Sequence, residues 1–176
     1  VSSLDNTFDN FKTVPDADKS LAAFKELLEV ETDKRMLLCY GGVGNGKTHL
    51  CEATSIELYK RGIFCRVLNM AVIMRSLKNS MGKDSINSYD ELLTRLCTVS
   101  HLIIDDVGMG GSGSEWEWGQ LEEIIVARHR EELFTIMTTN RDLPELPERV
   151  VSRFQDNQLG IVVLNQAEDY RPKKEG

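Results

Sequence analysis

The densest chemical signal in the chain is Gly41-Gly42-Val43-Gly44-Asn45-Gly46-Lys47-Thr48. A glycine, four residues and then Gly-Lys-Thr suits a loop whose backbone N–H groups turn inward onto phosphate oxygens. Lys47 then reaches the β- and γ-phosphates, and Thr48 offers a hydroxyl to Mg²⁺. The predicted nucleotide-contacting run is Gly42, Val43, Gly44, Asn45, Gly46, Lys47, Thr48 and His49. A second signal is Asp105-Asp106, directly after Leu102-Ile103-Ile104. Two such acids alone would be solvated loop residues. Downstream of a phosphate loop, Asp105 is placed to hold Mg²⁺ directly or through water, and Asp106 to orient the attacking water. A third is Asn140, whose amide closes an apolar run at Thr138-Thr139; alone, that would be a turn.

Elements must carry these residues to one place. Met36 to Tyr40 reads as a buried strand running into the loop, and the following helix ends at Lys60-Arg61 before Gly62, a cation-then-glycine stop. Ile63 to Asn69 reads as a second strand, giving the strand–helix–strand unit of a parallel sheet. His101 to Asp106, Leu133 to Thr138 and Leu159 to Leu164 read as three more strands, so the acids and Asn140 fall at strand ends, where ligands bind such sheets. Ahead of them, Pro15 and Asp16 introduce a helix with Ala17, Leu21, Phe24 and Leu28 on one face. Val107 to Gly119 reads as a loop carrying Trp116 and Trp118, followed by a helix from Gln120 to Arg130 with Leu121, Ile124, Ile125 and Arg128 on one side. Pro144 and Pro147 bound a loop before a short helix, Glu148 to Phe154.

Between the second and third strands lies a stretch that a minimal nucleotide-binding sheet does not need. Met70, Ile73, Met74, Leu77 and Met81 recur at helical spacing, which suits core packing and leaves Arg75 and Lys78 off the apolar stripe. Ser88 and Glu91 form a capping box that opens a second helix, with Tyr89, Leu92, Leu93 and Leu96 on one face.

The composition is that of one ordinary globular domain: 176 residues, 41% hydrophobic and 28% charged. No apolar run is long enough to span a membrane and the N-terminal residues lack the basic-then-apolar pattern of a signal peptide, so the expected location is cytoplasmic. The net charge of −7 argues against coating nucleic acid by bulk electrostatics and leaves room only for a local basic strip, with Arg75, Lys78 and Lys83 as candidates. Cys39, Cys51, Cys65 and Cys97 form no metal-ligand pattern and read as reduced core thiols. The first residue is Val1, which leads one to expect a longer parent protein.

Taken in order, the phosphate loop, Leu102-Ile103-Ile104-Asp105-Asp106-Val107-Gly108, Thr138-Thr139-Asn140 and Val150-Val151-Ser152-Arg153-Phe154 resemble the AAA+ ATPases of the DnaC/DnaI helicase-loader family and its IstB transposition relatives. The flanks Thr7-Phe8-Asp9-Asn10-Phe11 and Asp169-Tyr170-Arg171 share the resemblance, which covers nearly the whole chain. It implies an α/β fold: a P-loop AAA+ core with a five-stranded parallel sheet flanked by helices, a helical insertion after the second strand and no C-terminal lid. It further implies a single AAA+ ATPase domain over residues 1–176, forming the C-terminal part of a loader. ATP or ADP with Mg²⁺ would be the cofactors; single-stranded DNA, a replicative helicase and further copies of the chain would be the partners.

By the same resemblance Asn140 is a sensor that touches the γ-phosphate or the water. Phe8 and Phe11 lie near the adenine, and Arg153 is an arginine finger reaching a neighbouring subunit's nucleotide. A surface ion pair is the plainer reading of Arg153, and Arg149, one turn away, is the alternative finger. Two departures stand out. The second acid is Asp where AAA+ enzymes at large carry Glu, a variant common in the loader and IstB branch. With no lid, Arg171 is the one late arginine available as a second sensor. The rival readings are an IstB-type helper acting on duplex DNA, a small-molecule P-loop kinase and a non-hydrolysing ATP switch.

Overall fold

The computed structural model describes residues 6–11, 17–82, 88–109 and 113–166. Five parallel strands form one sheet in the order β2-β3-β4-β1-β5: β1 (Met36–Tyr40), β2 (Val67–Asn69), β3 (His101–Val107), β4 (Phe134–Thr139) and β5 (Gly160–Leu164). Among the described residues six helices cover it: α1 (Asp18–Glu26), α2 (Lys47–Lys60), α3 (Met70–Ser80), α4 (Tyr89–Thr98), α5 (Glu115–Arg130) and α6 (Glu148–Phe154). A 3-10 turn over Leu143–Glu145 precedes α6. None of the helices among the described residues is long and apolar enough to cross a membrane.

The apolar strands are buried on both faces because alternate residues point to opposite sides. From β1, Leu37 and Cys39 join the layer under α1 and α2, with Phe24, Leu50 and Leu58. Met36 and Leu38 join the layer under α3 to α6, with Met74, Leu96, Ile124 and Phe154. The helical insertion, α3 and α4, therefore contributes to the core while presenting its polar flank outward. Of the helix-spaced stripe, Met70, Ile73, Met74 and Leu77 are buried, whereas Met81 lies past the end of α3 and is 53% exposed. Leu21 of α1 is only half-buried, and Pro15 and Asp16 lie outside the described residues. The four cysteines are free, Cys97 being half-buried and the rest buried. Burial pushes the Cys39 and Cys65 thiols up to about 12, which keeps them inert.

Two elements differ from expectation. The second strand shrinks to Val67–Asn69, paired only with Ile103–Asp105 of β3. It is the sheet edge, and Phe64 upstream is 67% exposed with Arg66 over its ring. Helix α5 begins at Glu115, five residues earlier than periodicity suggested, so Trp116 and Trp118 stand on the helix and not in a loop. The starting signal is a second capping box, Ser114 with Glu117, obscured by the neighbouring glycines. Gly119 sits inside the helix on an open face.

Arg128 of α5 is fully buried and ties the layers together. Its guanidinium donates to Leu96 O (2.9 Å) and Val99 O (2.8 Å) at the end of α4, and to Phe134 O (2.7 Å) and Thr135 Oγ1 (2.9 Å) of β4. Burial brings its pKa down to about 10, leaving it charged at neutral pH.

Candidate functional site

β1 ends at Tyr40, and the chain curls through the phosphate loop into α2. Gly41 (φ 135°) and Gly46 (φ 87°) adopt backbone angles that favour glycine. A Cβ on Gly46 would also stand 2.7 Å from the Phe11 ring. The Lys47 ammonium lies inside the curl, donating to Gly41 O (2.9 Å), Gly42 O (2.6 Å) and Asn45 Oδ1 (2.9 Å). Burial lowers its pKa, while Cys39, Asp105 and Asp106 act in the opposite direction. Asn45 also exchanges two hydrogen bonds with Asn165, just beyond β5.

Beside the loop, Thr48 Oγ1 donates to Asp105 Oδ2 at 2.7 Å. The other carboxylate oxygen of Asp105 accepts from Thr138 Oγ1 of β4. The same hydroxyl accepts from the Asp106 N–H at 3.2 Å, at the point where the β3–β4 register shifts. Asp106 has φ 56°, a left-handed conformation rare outside glycine, which turns its carboxylate away from the strand line. Burial and then Asp105 raise its pKa, Lys47 opposes them, and Asn69 Nδ2 approaches Asp106 Oδ2 at 3.5 Å. Asn140, one residue past β4, completes the wall.

These residues enclose a cleft of about 380 Å³ lined by Val43, Gly44, Asn45, Gly46, Lys47, Thr48, Asp106, Met109 and Asn140. It combines N–H groups at the positive start of α2, a buried ammonium and a hydroxyl–carboxylate pair. That set suits a polyphosphate, and the hard oxygens of Thr48 and Asp105 suit Mg²⁺. A larger groove of about 440 Å³ runs between α1 and α2, but there Lys25, Lys60 and Arg61 stand among Glu29 and Glu57 without converging on a point. The loop cleft, although smaller, is therefore the candidate site.

The predicted outlying residues are scattered. Phe11 packs against the loop and meets the His49 ring edge-on at 5.2 Å, and His49 Nε2 lies 2.8 Å from Thr7 O. Phe8 instead lines the α1–α2 groove, with the Lys25 ammonium 6.0 Å from its ring centre. Arg75 is exposed, with no ion pair among the described residues. Lys78 is committed: its ammonium pairs with buried Glu117 at 3.0 Å and lies over Trp116 at 5.3 Å. Lys83 and Arg171 lie outside the described residues. On α6, Arg149 pairs with Glu122 at 2.6 Å, whereas Arg153 Nε is buried without a hydrogen-bond partner among the described residues.

Sequence reasoning missed Thr138, Asn69 and Asn165, each a polar residue at a strand end. It also missed Arg141, which donates to Gly108 O at 2.9 Å and lies over the Trp118 ring. Position at the carboxyl edge of a strand was the available signal, since it had already singled out Asp105 and Asn140.

Comparison with known proteins gives a family and a fold. The family described as the bacterial DnaA ATPase domain matches residues 3–163. The chromosomal replication initiator DnaA of Cereibacter sphaeroides is 28% identical over 169 residues, covering 93% of this chain and 36% of that protein. The chain thus spans little more than a third of the curated relative it matches. A replication initiator DnaA solved with AMPPCP and single-stranded DNA superposes with a TM-score of 0.78 at 26% identity, covering 94% of this chain and 51% of that one. The DnaC helicase loader shares the fold, with a TM-score of 0.76 at 22% identity over 93% of this chain and 98% of that one. The chain thus belongs to the family of the bacterial DnaA ATPase domain, an AAA+ fold that the DnaC loader also has.

Proposed function

We propose that this chain binds and hydrolyses Mg·ATP as the AAA+ domain of a replication helicase loader, contacting single-stranded DNA and a replicative helicase. The observation that carries the reading is the convergence of Lys47, the Thr48–Asp105 pair, Asp106 and Asn140 on one cleft. Loop N–H groups and Lys47 hold the β- and γ-phosphates. Thr48 and Asp105 would hold Mg²⁺, which would supply positive charge to the phosphate oxygens. Asp106 accepts a hydrogen bond from the attacking water, and Asn140 donates to the γ-phosphate or the water. Arg153 supplies positive charge to a neighbouring copy's γ-phosphate. Arg149 is already neutralised by Glu122, which favours Arg153 as the finger.

The loader assignment is supported by the Asp105-Asp106 pair and by the Ser152-Arg153-Phe154 motif. The family match itself favours a second reading, an initiator of DnaA type. The test is ATP turnover by the chain with and without single-stranded DNA, together with retention of a replicative helicase by the tagged chain. Turnover with helicase retention supports the loader. Turnover and DNA binding without retention support the initiator, and no binding of Mg·ATP overturns both.

A further inference from the structure

The end of β5 lies across the point where the phosphate loop leaves the sheet. The Asn165 N–H donates to Tyr40 O at 2.7 Å, extending the β1–β5 ladder one residue past Leu164. Its carbonyl oxygen then lies 2.2 Å from where a Cβ on Gly41 would stand, so the crossing demands glycine there. From this anchored residue two reciprocal bonds run to the loop. Asn45 Nδ2 donates to Asn165 O at 3.0 Å, and Asn165 Nδ2 donates to Asn45 O at 3.0 Å. Asn45 and Asn165 are 2% and 1% exposed. Flipping either amide would set oxygen against oxygen, so the network itself fixes both orientations. The Asn45 oxygen left over accepts from Lys47 Nζ at 2.9 Å.

We propose that Asn165 is a positioning residue for nucleotide binding, acting through Asn45 to hold the phosphate loop and Lys47 in the shape that receives phosphates. The proposal rests on the reading of the cleft as a nucleotide site. The loop is rich in glycine and samples many shapes unless it is tied down. A ligand that binds one of those shapes loses apparent affinity in proportion to how rarely that shape is populated. The amide pair ties the loop's middle to the sheet, while the Gly41 N–H to Thr139 O bond (3.2 Å) ties only its start.

The test is calorimetric titration of the whole chain and its variants with Mg·ADP, reading both Kd and the number of sites. Asn165→Ala removes one buried hydrogen bond and orphans Asn45 O, so Kd should rise about tenfold at the parent's stoichiometry, equivalent to about 1.4 kcal/mol. Asn45→Ala should weaken binding at least as much. The double variant should be weaker than either single one, because each side-chain amide donates to the other residue's backbone carbonyl, which alanine keeps, so the two changes cut different bonds. Fewer competent sites at an unchanged Kd would mean that Asn165 serves packing only, and a double variant no weaker than Asn45→Ala alone would mean that the Asn165 amide does not hold the loop; either result overturns the proposal. Should Asn165→Ala not fold, Asn165→Leu keeps nearly the size and removes the donor without adding a charge, and a parent-like Kd in that variant overturns the proposal equally. A parent chain that does not bind Mg·ADP removes the function reading and this inference together, whereas a binding parent with unchanged variants removes the inference alone.

Discussion

Lys47 is the residue on which the proposed nucleotide affinity turns. Its three donors are held by two loop carbonyls and Asn45, so the ammonium is already where phosphate oxygens would arrive. Lys47→Ala should weaken Mg·ATP binding by about 100-fold, since charge-assisted bonds to phosphate are the strong ones. A titration giving an affinity within twofold of the parent would refute this. Asp106 is a different case, because it lines the cleft without holding the proposed metal. Asp106→Asn should bind ATP normally and turn it over roughly 10² to 10⁴ times more slowly, the usual span for a positioned base. Single-turnover hydrolysis measures this, and a parent-like rate would move the base elsewhere.

At the scale of elements, the start of α5 concentrates stability and constrains the DNA hypothesis. Glu117 caps that helix, and its Oε2 accepts from the Gly113 N–H (2.7 Å) and the Ser114 N–H (3.0 Å), while Oε1 takes Lys78. Burial alone would raise its pKa, but the Ser114 and Gly113 N–H groups and Lys78 bring it down to about 2. Asp156 is likewise brought to about 2 by the Leu159 N–H, His129 and the Gln158 N–H. A carboxyl whose pKa is lower folded than unfolded contributes stability that is complete above about pH 4.3 and is lost as pH falls toward the folded value. Melting temperature should therefore drop between about pH 4.3 and 2, and more gently in Glu117→Gln, which keeps a capping side chain without the charge. Glu117→Ala should cost about 1–3 kcal/mol at neutral pH, read by denaturant unfolding. Because Lys78 is held by Glu117, reversing its charge would disturb α5 and confuse any binding assay. Arg75 is the cleaner probe: Arg75→Ala should weaken single-strand binding and flatten its salt dependence by a slope of about 0.7 for one lost phosphate contact. An unchanged slope would place the strip elsewhere.

At the scale of the whole molecule, α6 packs against α5, β5 and β1 and carries Arg153. In the proposed mechanism the site would be complete only when a second copy presents that arginine. Arg153→Ala should bind ATP like the parent and hydrolyse it roughly 10³ to 10⁵ times more slowly, the range for a finger in related phosphoryl transfer. Mixed with Lys47→Ala protein, which keeps its finger but lacks nucleotide, it should regain activity at shared interfaces. Turnover against mixing ratio is the measurement. No rescue at ratios where the two proteins associate would mean that Arg153 acts within its own copy, and Arg149 would be tested next.

What the sequence by itself determined were the features that close over a few residues. The phosphate loop, the Ser88 capping box, the cation-and-glycine stop of α2 and the acids ending β3 all rest on neighbours in the chain, and each stands where its spacing put it. The second capping box at Ser114 was equally local and was hidden only by the glycines around it. Tertiary structure decided which distant polar groups meet. Asn45 finds Asn165 across 120 positions because β5 pairs with β1 in a register that sets Leu164 beside Tyr40. Thr138 reaches both acids because β4 lies beside β3, and Lys78 meets Glu117 because the insertion packs over α5. A hydroxyl or an amide accepts almost any partner, so its sequence context says little. Strand order and register choose the partner, and those follow from burying both faces of the sheet at once.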